Sequence, residues 1–202
     1  MKRALQRRPK AQGQIRIIAG QWRGRKLPVL SREGLRPTTD RTKETLFNWL
    51  MPYISGRQCL DAFAGTGGLG LEALSRYADS ADFVEQDNGA VTMLKDNLRR
   101  LAVQPTKAAV HQGNILHVLP ALKGPYSLVF LDPPFNQGLL QPTIDSLVDT
   151  QKLTSDALIY LEMEKGAALR VPANWRLLKQ KQSTQVDYRL YEQHKEAGDG
   201  EA

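Results

Sequence analysis

The tetrapeptide Asp132-Pro133-Pro134-Phe135 ends the apolar run Tyr126-Ser127-Leu128-Val129-Phe130-Leu131. An apolar run of strand length that stops at a polar residue and two prolines is the pattern of a buried parallel strand entering a loop. Ligands bind in such loops, at the carboxyl ends of strands in an open α/β sheet. Two consecutive prolines remove two backbone donors and fix two φ angles, so carbonyls and flanking side chains are held in place before a substrate arrives. Asp132 offers acceptor oxygens only, and Phe135 offers a flat apolar face. A planar heterocycle bearing an exocyclic amine needs both. Alone, the motif is equally compatible with a strand-ending turn over a buried aromatic.

The segment upstream shifts that balance. Asp61-Ala62-Phe63-Ala64-Gly65-Thr66-Gly67-Gly68-Leu69-Gly70 follows the strand-like Cys59-Leu60, and Glu85 ends a second such run, Phe83-Val84. Glycines at a strand-to-helix turn let the backbone approach a ligand, and a carboxylate ending the next strand suits a ribose diol. Gly65-x-Gly67-x-x-Gly70 also matches the dinucleotide fingerprint, with Glu85 at the spacing of its ribose acid. Two features oppose a nicotinamide enzyme. Asp61, at the strand end, would repel a pyrophosphate but accept from the amino group of an amino-acid moiety. The Asp132 loop offers nothing that resembles a hydride-transfer site. The combination fits S-adenosylmethionine better than a nicotinamide dinucleotide.

The order Asp61-x-x-x-Gly65-x-Gly67, Glu85, Gly113-Asn114, Asp132-Pro-Pro-Phe135 resembles the class I S-adenosylmethionine-dependent methyltransferases that modify exocyclic amines. Arg16-Ile17-Ile18-Ala19-Gly20-Gln21-Trp22-Arg23-Gly24-Arg25-Lys26-Leu27 and Arg36-Pro37-Thr38-Thr39-Asp40-Arg41-x-Lys43-Glu44-Thr45-Leu46-Phe47-Asn48 narrow this. They resemble the amino-terminal region of the bacterial ribosomal RNA small subunit methyltransferase D family, over roughly residues 15 to 193. The resemblance implies methylation of N2 of one guanine in 16S rRNA, within a partly assembled small ribosomal subunit. It places the cofactor on Asp61, Phe63, Gly65, Gly67, Glu85, Gln86, Asn114, Ile115 and Asp132. Asn114 stands where many class I enzymes carry Asp, so an amide would meet the adenine there, with Ile115 packing on the ring. Asp61 and Asn114 are also placed to cap helices, and Glu85, Gln86 or Asp87 to cap a third; Asp87 is favoured for that cap.

The catalytic group would be Asp132, Pro133, Pro134 and Phe135. Methyl transfer from a sulfonium is an in-line displacement, so alignment is the main requirement. The lone pair of a guanine amine is delocalised into the ring. N–H bonds to Asp132 and to the Pro133 carbonyl would aim that lone pair and stabilise the charge developing on nitrogen. Phe135 would stack on a base that is flipped out or already unpaired. A DNA adenine-N6 or cytosine-N4 methyltransferase and a non-catalytic RNA-binding assembly factor are the alternatives. Against the first, no separate domain for reading a duplex is evident. Against the second, the site residues are intact. The single cysteine, Cys59, is far from residue 132 and excludes a cysteine nucleophile in the base loop; it reads as a core residue. His111 and His117 read as structural, and the three histidines are not spaced as a metal site.

Charge is unevenly placed. Through Thr45 there are thirteen Lys/Arg against three Asp/Glu, and beyond it fifteen against eighteen, for a total of +7. Arg16, Arg23, Arg25, Lys26, Arg36, Arg41 and Lys43, interleaved with Trp22, suit phosphate contacts that give affinity and orientation. No apolar stretch reaches membrane-spanning length, and the basic start lacks the apolar core of a secretory signal. A cytoplasmic monomer is the expectation.

These residues require a frame. Residues 1–13 are expected to be a disordered basic leader, 14–54 an RNA-binding hairpin and helix, 55–193 the methyltransferase domain and 194–202 a flexible tail. Ile15–Ile18 and Lys26–Leu30 flank a hairpin loop, and Thr38–Met51 has a helical pattern with Thr39 or Asp40 as cap. Strands are expected near 58–62, 82–86, 107–112, 126–131 and 157–163, with helices near 69–77, 88–101, 114–122 and 138–150. Trp175–Lys181 and Gln185–Tyr191 lie too close together for a crossover and should form a hairpin. Such alternation predicts an α/β, Rossmann-like sheet of about seven strands, mostly parallel with one antiparallel strand.

Overall fold

Seven strands form one mixed sheet, as the alternation predicts. The computed structural model describes residues 13–30 and 40–194. The sheet strands are β3 (Gln58–Asp61), β4 (Ser80–Glu85), β5 (Ala108–Gln112), β6 (Tyr126–Leu131), β7 (Leu153–Glu164), β8 (Trp175–Gln182) and β9 (Val186–Gln193). Their spatial order is β5-β4-β3-β6-β7-β9-β8. β5, β4, β3, β6 and β7 pair in parallel, and β9 runs antiparallel to both β7 and β8. β9 is therefore the one reversed strand.

Helices α2 (Gly68–Ser75), α3 (Asn88–Arg100), α4 (Ile115–Val118) and α5 (Leu140–Asp149) fill the connections. Where a helix near 114–122 is expected, α4 ends at Val118 and a 3-10 turn covers Leu119–Ala121. Pro120 has no N–H to donate back into the helix. β7 starts four residues before the expected strand, and its pairing shifts register between Tyr126 and Leu128.

Alternation along each strand divides the core. Cys59, Phe83, Leu128, Phe130, Leu158 and Tyr160 pack on one face, with residues of α2, of α3 and of α1 (Asp40–Leu50). Leu60, Val84, Val129, Leu131, Ile159 and Leu161 pack on the other, with α4 and α5. Cys59 is buried, as its apolar neighbours predict, and burial pushes its thiol upward.

β1 (Gly13–Arg16) and β2 (Lys26–Val29) form the expected hairpin. Its loop docks on α2. Ile18 N–H and Ala19 N–H donate to Glu72 Oε2 and Oε1 at 2.8 and 3.0 Å. Gln21 N–H donates to the Ser75 carbonyl, and Gln21 Nε2 to that of Leu74. The last carbonyls of a helix lack partners inside it, and the Gly20-Gln21-Trp22 turn supplies them. Gly20, at φ +82°, lies so close that a Cβ would collide with the Ser75 carbonyl. Trp22 packs against the core rather than toward solvent. Lys43 is a correction: it is buried and donates to the Arg16 carbonyl at 2.9 Å, so it ties α1 to the hairpin instead of facing phosphates.

Candidate active site

The chain enters the sheet at β3, moves outward through β4 and β5, then returns past β3 to β6 and β7. The direction reverses between β3 and β6, and the carboxyl ends of strands at such a reversal form the binding crevice of open α/β sheets. Asp61 ends β3, Glu85 ends β4, and Asp132 follows the last residue of β6. Asp61, Glu85 and Asp132 lie two residues beyond Cys59, Phe83 and Phe130, which share one face, so alternation directs all three to that same face.

The glycine turn is held from both ends. Gly65 N–H donates to Glu85 Oε2 at 2.8 Å, and Asp87 N–H to Glu85 Oε1 at 2.7 Å. Gly70 N–H, in the first turn of α2, donates to Asp61 Oδ2 at 2.9 Å. Gly67, at φ +79°, precedes α2; a Cβ there would strike Leu94 Cδ1. The turn therefore needs glycine both for its left-handed backbone and for the close approach of α3. Gly65, at φ +50°, has open space where its Cβ would be. Asp61 thus serves a helix end, and Glu85 braces the turn. Each carboxylate oxygen has two lone pairs, so these bonds orient the groups and leave acceptor capacity toward the crevice.

Asp87 caps α3 by accepting from Ala90 N–H at 2.7 Å, the role favoured for it. Asn114 Oδ1 caps α4 by accepting from Leu116 N–H at 2.9 Å. Ile115 is buried against the second core, with Phe63 packed at its margin, and Gln86 is exposed. Pro133 is buried, Pro134 exposed, and Phe135 half-buried.

The carboxyl groups act on one another. Asp61 is pushed up to about 7, first by burial, against the Gly70 N–H bond, and further by the negative charges of Asp132 and Glu85. A fourth acid joins them. Glu162 lies two residues beyond Tyr160, on the same face, and beside Asp132 by extension of the Leu131–Leu161 pairing. Tyr160 OH donates to its Oε1 at 2.8 Å. Burial, then the charge of Asp132, pushes Glu162 up to about 8. A crevice so rich in acceptors favours a cationic ligand with N–H and O–H donors.

Sequence comparison assigns the chain. A curated Ribosomal RNA small subunit methyltransferase D from Escherichia coli is 54% identical over 181 residues, 89% of this chain and 90% of that protein. Its Haemophilus influenzae counterpart is 52% identical over 186 residues, 91% and 96% of the two chains. The chain belongs to the ribosomal RNA small subunit methyltransferase D family. The family described as conserved hypothetical protein 95 matches residues 15–192. The solved structure of the candidate methyltransferase yhhF from Escherichia coli superimposes with a TM-score of 0.82 at 52% identity, covering 91% of this chain and all of that one.

Sequence reasoning about this family member overlooked Glu162, which stands in the apolar run Leu158-Ile159-Tyr160-Leu161-Glu162-Met163. The available signal was an acid on the parity of Tyr160, where an apolar side chain would be expected. His111 Nε2 lies 3.1 Å from Asp82 Oδ1, and Tyr126 OH donates to Asp82 Oδ2 at 2.6 Å. Asp82 and His111 share the side of Val84, so this polar cluster lies on the sheet face opposite the acids; His117 is exposed. Arg16, Arg23, Arg25, Lys26 and Arg41 are exposed, and Arg25 Nη2 reaches the Arg100 carbonyl at 3.0 Å. Arg36 lies outside the described residues, as do the leader through residue 12, Thr38, Thr39 and the tail beyond His194.

Glu162 also imposes a pH dependence. An unfolded glutamate titrates near about 4.3, whereas the folded one holds its proton to about 8. The resulting stability is complete below the unfolded value and is lost as pH rises through the folded one. Asp61 acts in the same sense up to about 7. The melting temperature of the ligand-free protein should fall from about pH 5 to about pH 9. Glu162→Gln should flatten that decline, which scanning calorimetry across the range would measure.

Proposed function

We propose that this chain transfers a methyl group from S-adenosylmethionine to the exocyclic N2 amine of one guanine in 16S rRNA, on a partly assembled small ribosomal subunit. The observation that carries this reading is the convergence of Asp61, Glu85 and Asp132 around a glycine turn where the sheet reverses direction. The acids and open turn fit the cofactor's groups. Asp61 would meet its ammonium, Glu85 its ribose hydroxyls, and Asn114 with Ile115 its adenine. When bound, it supplies an electrophilic methyl on a sulfonium.

The chain's residues do the rest. Asp132 and the Pro133 carbonyl accept from the two amine N–H groups, directing the nitrogen lone pair and stabilising the positive charge as it develops. Pro133 and Pro134 keep the loop rigid, and Phe135 stacks on the base. The name shared by the two curated relatives supports small-subunit rRNA as substrate.

The test is methylation of naked 16S rRNA, partly assembled subunits and duplex DNA with radiolabelled cofactor, followed by mass mapping of the labelled nucleotide. Label on guanine N2 of the rRNA is expected. Label confined to DNA or to another base position would overturn the reading.

The exposed cations of the hairpin should set affinity for RNA. Arg23→Ala with Lys26→Ala, leaving the Arg25 tie to α3 intact, should weaken rRNA binding. It should also reduce the salt dependence by about one to two counterions. Calorimetric affinity for S-adenosylmethionine should stay unchanged; a matching loss there would place these residues at the cofactor instead.

A further inference from the structure

A cavity of about 230 Å³ lies between α1 and the β7–β9–β8 end of the sheet. Arg41 and Trp49 line it from α1, Tyr160 from β7, Tyr188 from β9, and Lys181 with Ser183 from β8 and its turn. Lys181 Nζ donates to Thr45 Oγ1 at 3.2 Å, joining helix and strand across it. No acid is among the described residues that line it. The sheet register connects this cavity to the acids of the crevice. Lys181 pairs with Tyr188, Tyr188 pairs with Glu162, and Glu162 lies beside Asp132, so one row of side chains crosses β8, β9 and β7 and ends at the residue that follows β6. Tyr160 borders the cavity and gives its hydroxyl to Glu162.

We propose that this cavity receives one unpaired nucleotide of the RNA substrate, adjacent to the base that enters the Asp132 crevice. The proposal rests on the function proposed above. Trp49 and Tyr188, both partly exposed, give a base apolar ring surface over the buried Tyr160, while Arg41 and Lys181 meet its phosphate. Lys179, paired with Leu190, lies on the same face as Lys181 and extends the positive charge along the edge strand. The cavity falls below the roughly 300–1,000 Å³ of sites for drug-sized ligands, which suits a single base and not a second whole cofactor.

Full-length protein is titrated with a single-stranded RNA pentamer while tryptophan fluorescence is followed. Quenching that disappears in Trp49→Phe and weakens with salt is expected. Quenching that persists in Trp49→Phe, or an absence of binding, overturns the proposal. In methylation assays on partly assembled subunits, Lys181→Glu should raise KM for the particle about tenfold, with kcat and S-adenosylmethionine affinity nearly unchanged. An unchanged KM in a variant that melts like wild type also overturns it. If the wild type itself fails to methylate rRNA, the proposed function falls; if it methylates and the variants match it, only the nucleotide pocket does.

Discussion

Asp132→Ala should lower kcat for rRNA methylation by about 10²–10³, the loss seen when one preorganised electrostatic partner is removed from a developing charge. The binding of an exposed RNA face should survive, so KM for the particle should move much less. Asp132→Asn separates two contributions. The amide keeps one acceptor oxygen but loses the negative charge and turns an NH₂ toward the substrate amine. If charge stabilisation dominates, Asn should be nearly as slow as Ala; if a single acceptor suffices, it should recover most of the rate. A readout independent of activity accompanies this. The charge of Asp132 helps hold Glu162 at about 8 and Asp61 at about 7, so both should titrate lower in the variant. Carboxyl-carbon NMR titration would follow both groups. Wild-type turnover in Asp132→Ala would remove the proposed role of this loop altogether.

Much of this arrangement is legible in the residues because it depends on local periodicity. The alternation of apolar runs with helical patterns predicts the parallel body, and the short interval between Trp175 and Tyr191 predicts the final hairpin. Asp87, one residue before an amphipathic helix, is legible as its cap. Lateral order is not. Nothing local places β9 between β7 and β8, since that depends on which edge completes the cover over α1 and Tyr160. Glu162 escaped for a related reason. Its significance comes from register with Asp132 across β6 and β7, and its own sequence neighbours are apolar. Lys43 shows the converse error: a cation in a basic segment is expected at the surface, yet it is buried and its ammonium serves the Arg16 carbonyl. Gly20, Gln21 and Trp22 lie among exposed arginines, but their backbone and side chains complete the end of α2 and the core.

That docking gives the largest expected effect on stability. Glu72 is fully buried, and its two oxygens accept from Ile18 N–H, Ala19 N–H and Arg76 Nε. The Arg76 guanidinium lies 4.9 Å from the centre of the Phe47 ring, so the same carboxylate also fixes a cation against α1. Glu72→Ala would strip all three donors of their partner and leave a largely buried cation unpaired. A cost on the order of 3–5 kcal/mol is expected from removing one member of a buried pair. For a domain of this size the melting temperature should drop by roughly 10 °C or more. Glu72→Gln retains one acceptor oxygen but turns an amide NH₂ toward one of the donors, so its loss should fall between wild type and alanine. Urea unfolding would give the energies, and hydrogen exchange at the Ile18 and Ala19 amides would locate the damage. Both amides should exchange faster in the alanine variant, ahead of the β3–β6 core. A melting temperature within about 2 °C of wild type would show that the carboxylate contributes little net stability. Because α2 runs from Gly68, beside the glycine turn, to the carbonyls that the hairpin covers, loosening one end should also slacken the other. Affinity for S-adenosylmethionine should therefore weaken in Glu72→Ala even though no atom of Glu72 faces the crevice.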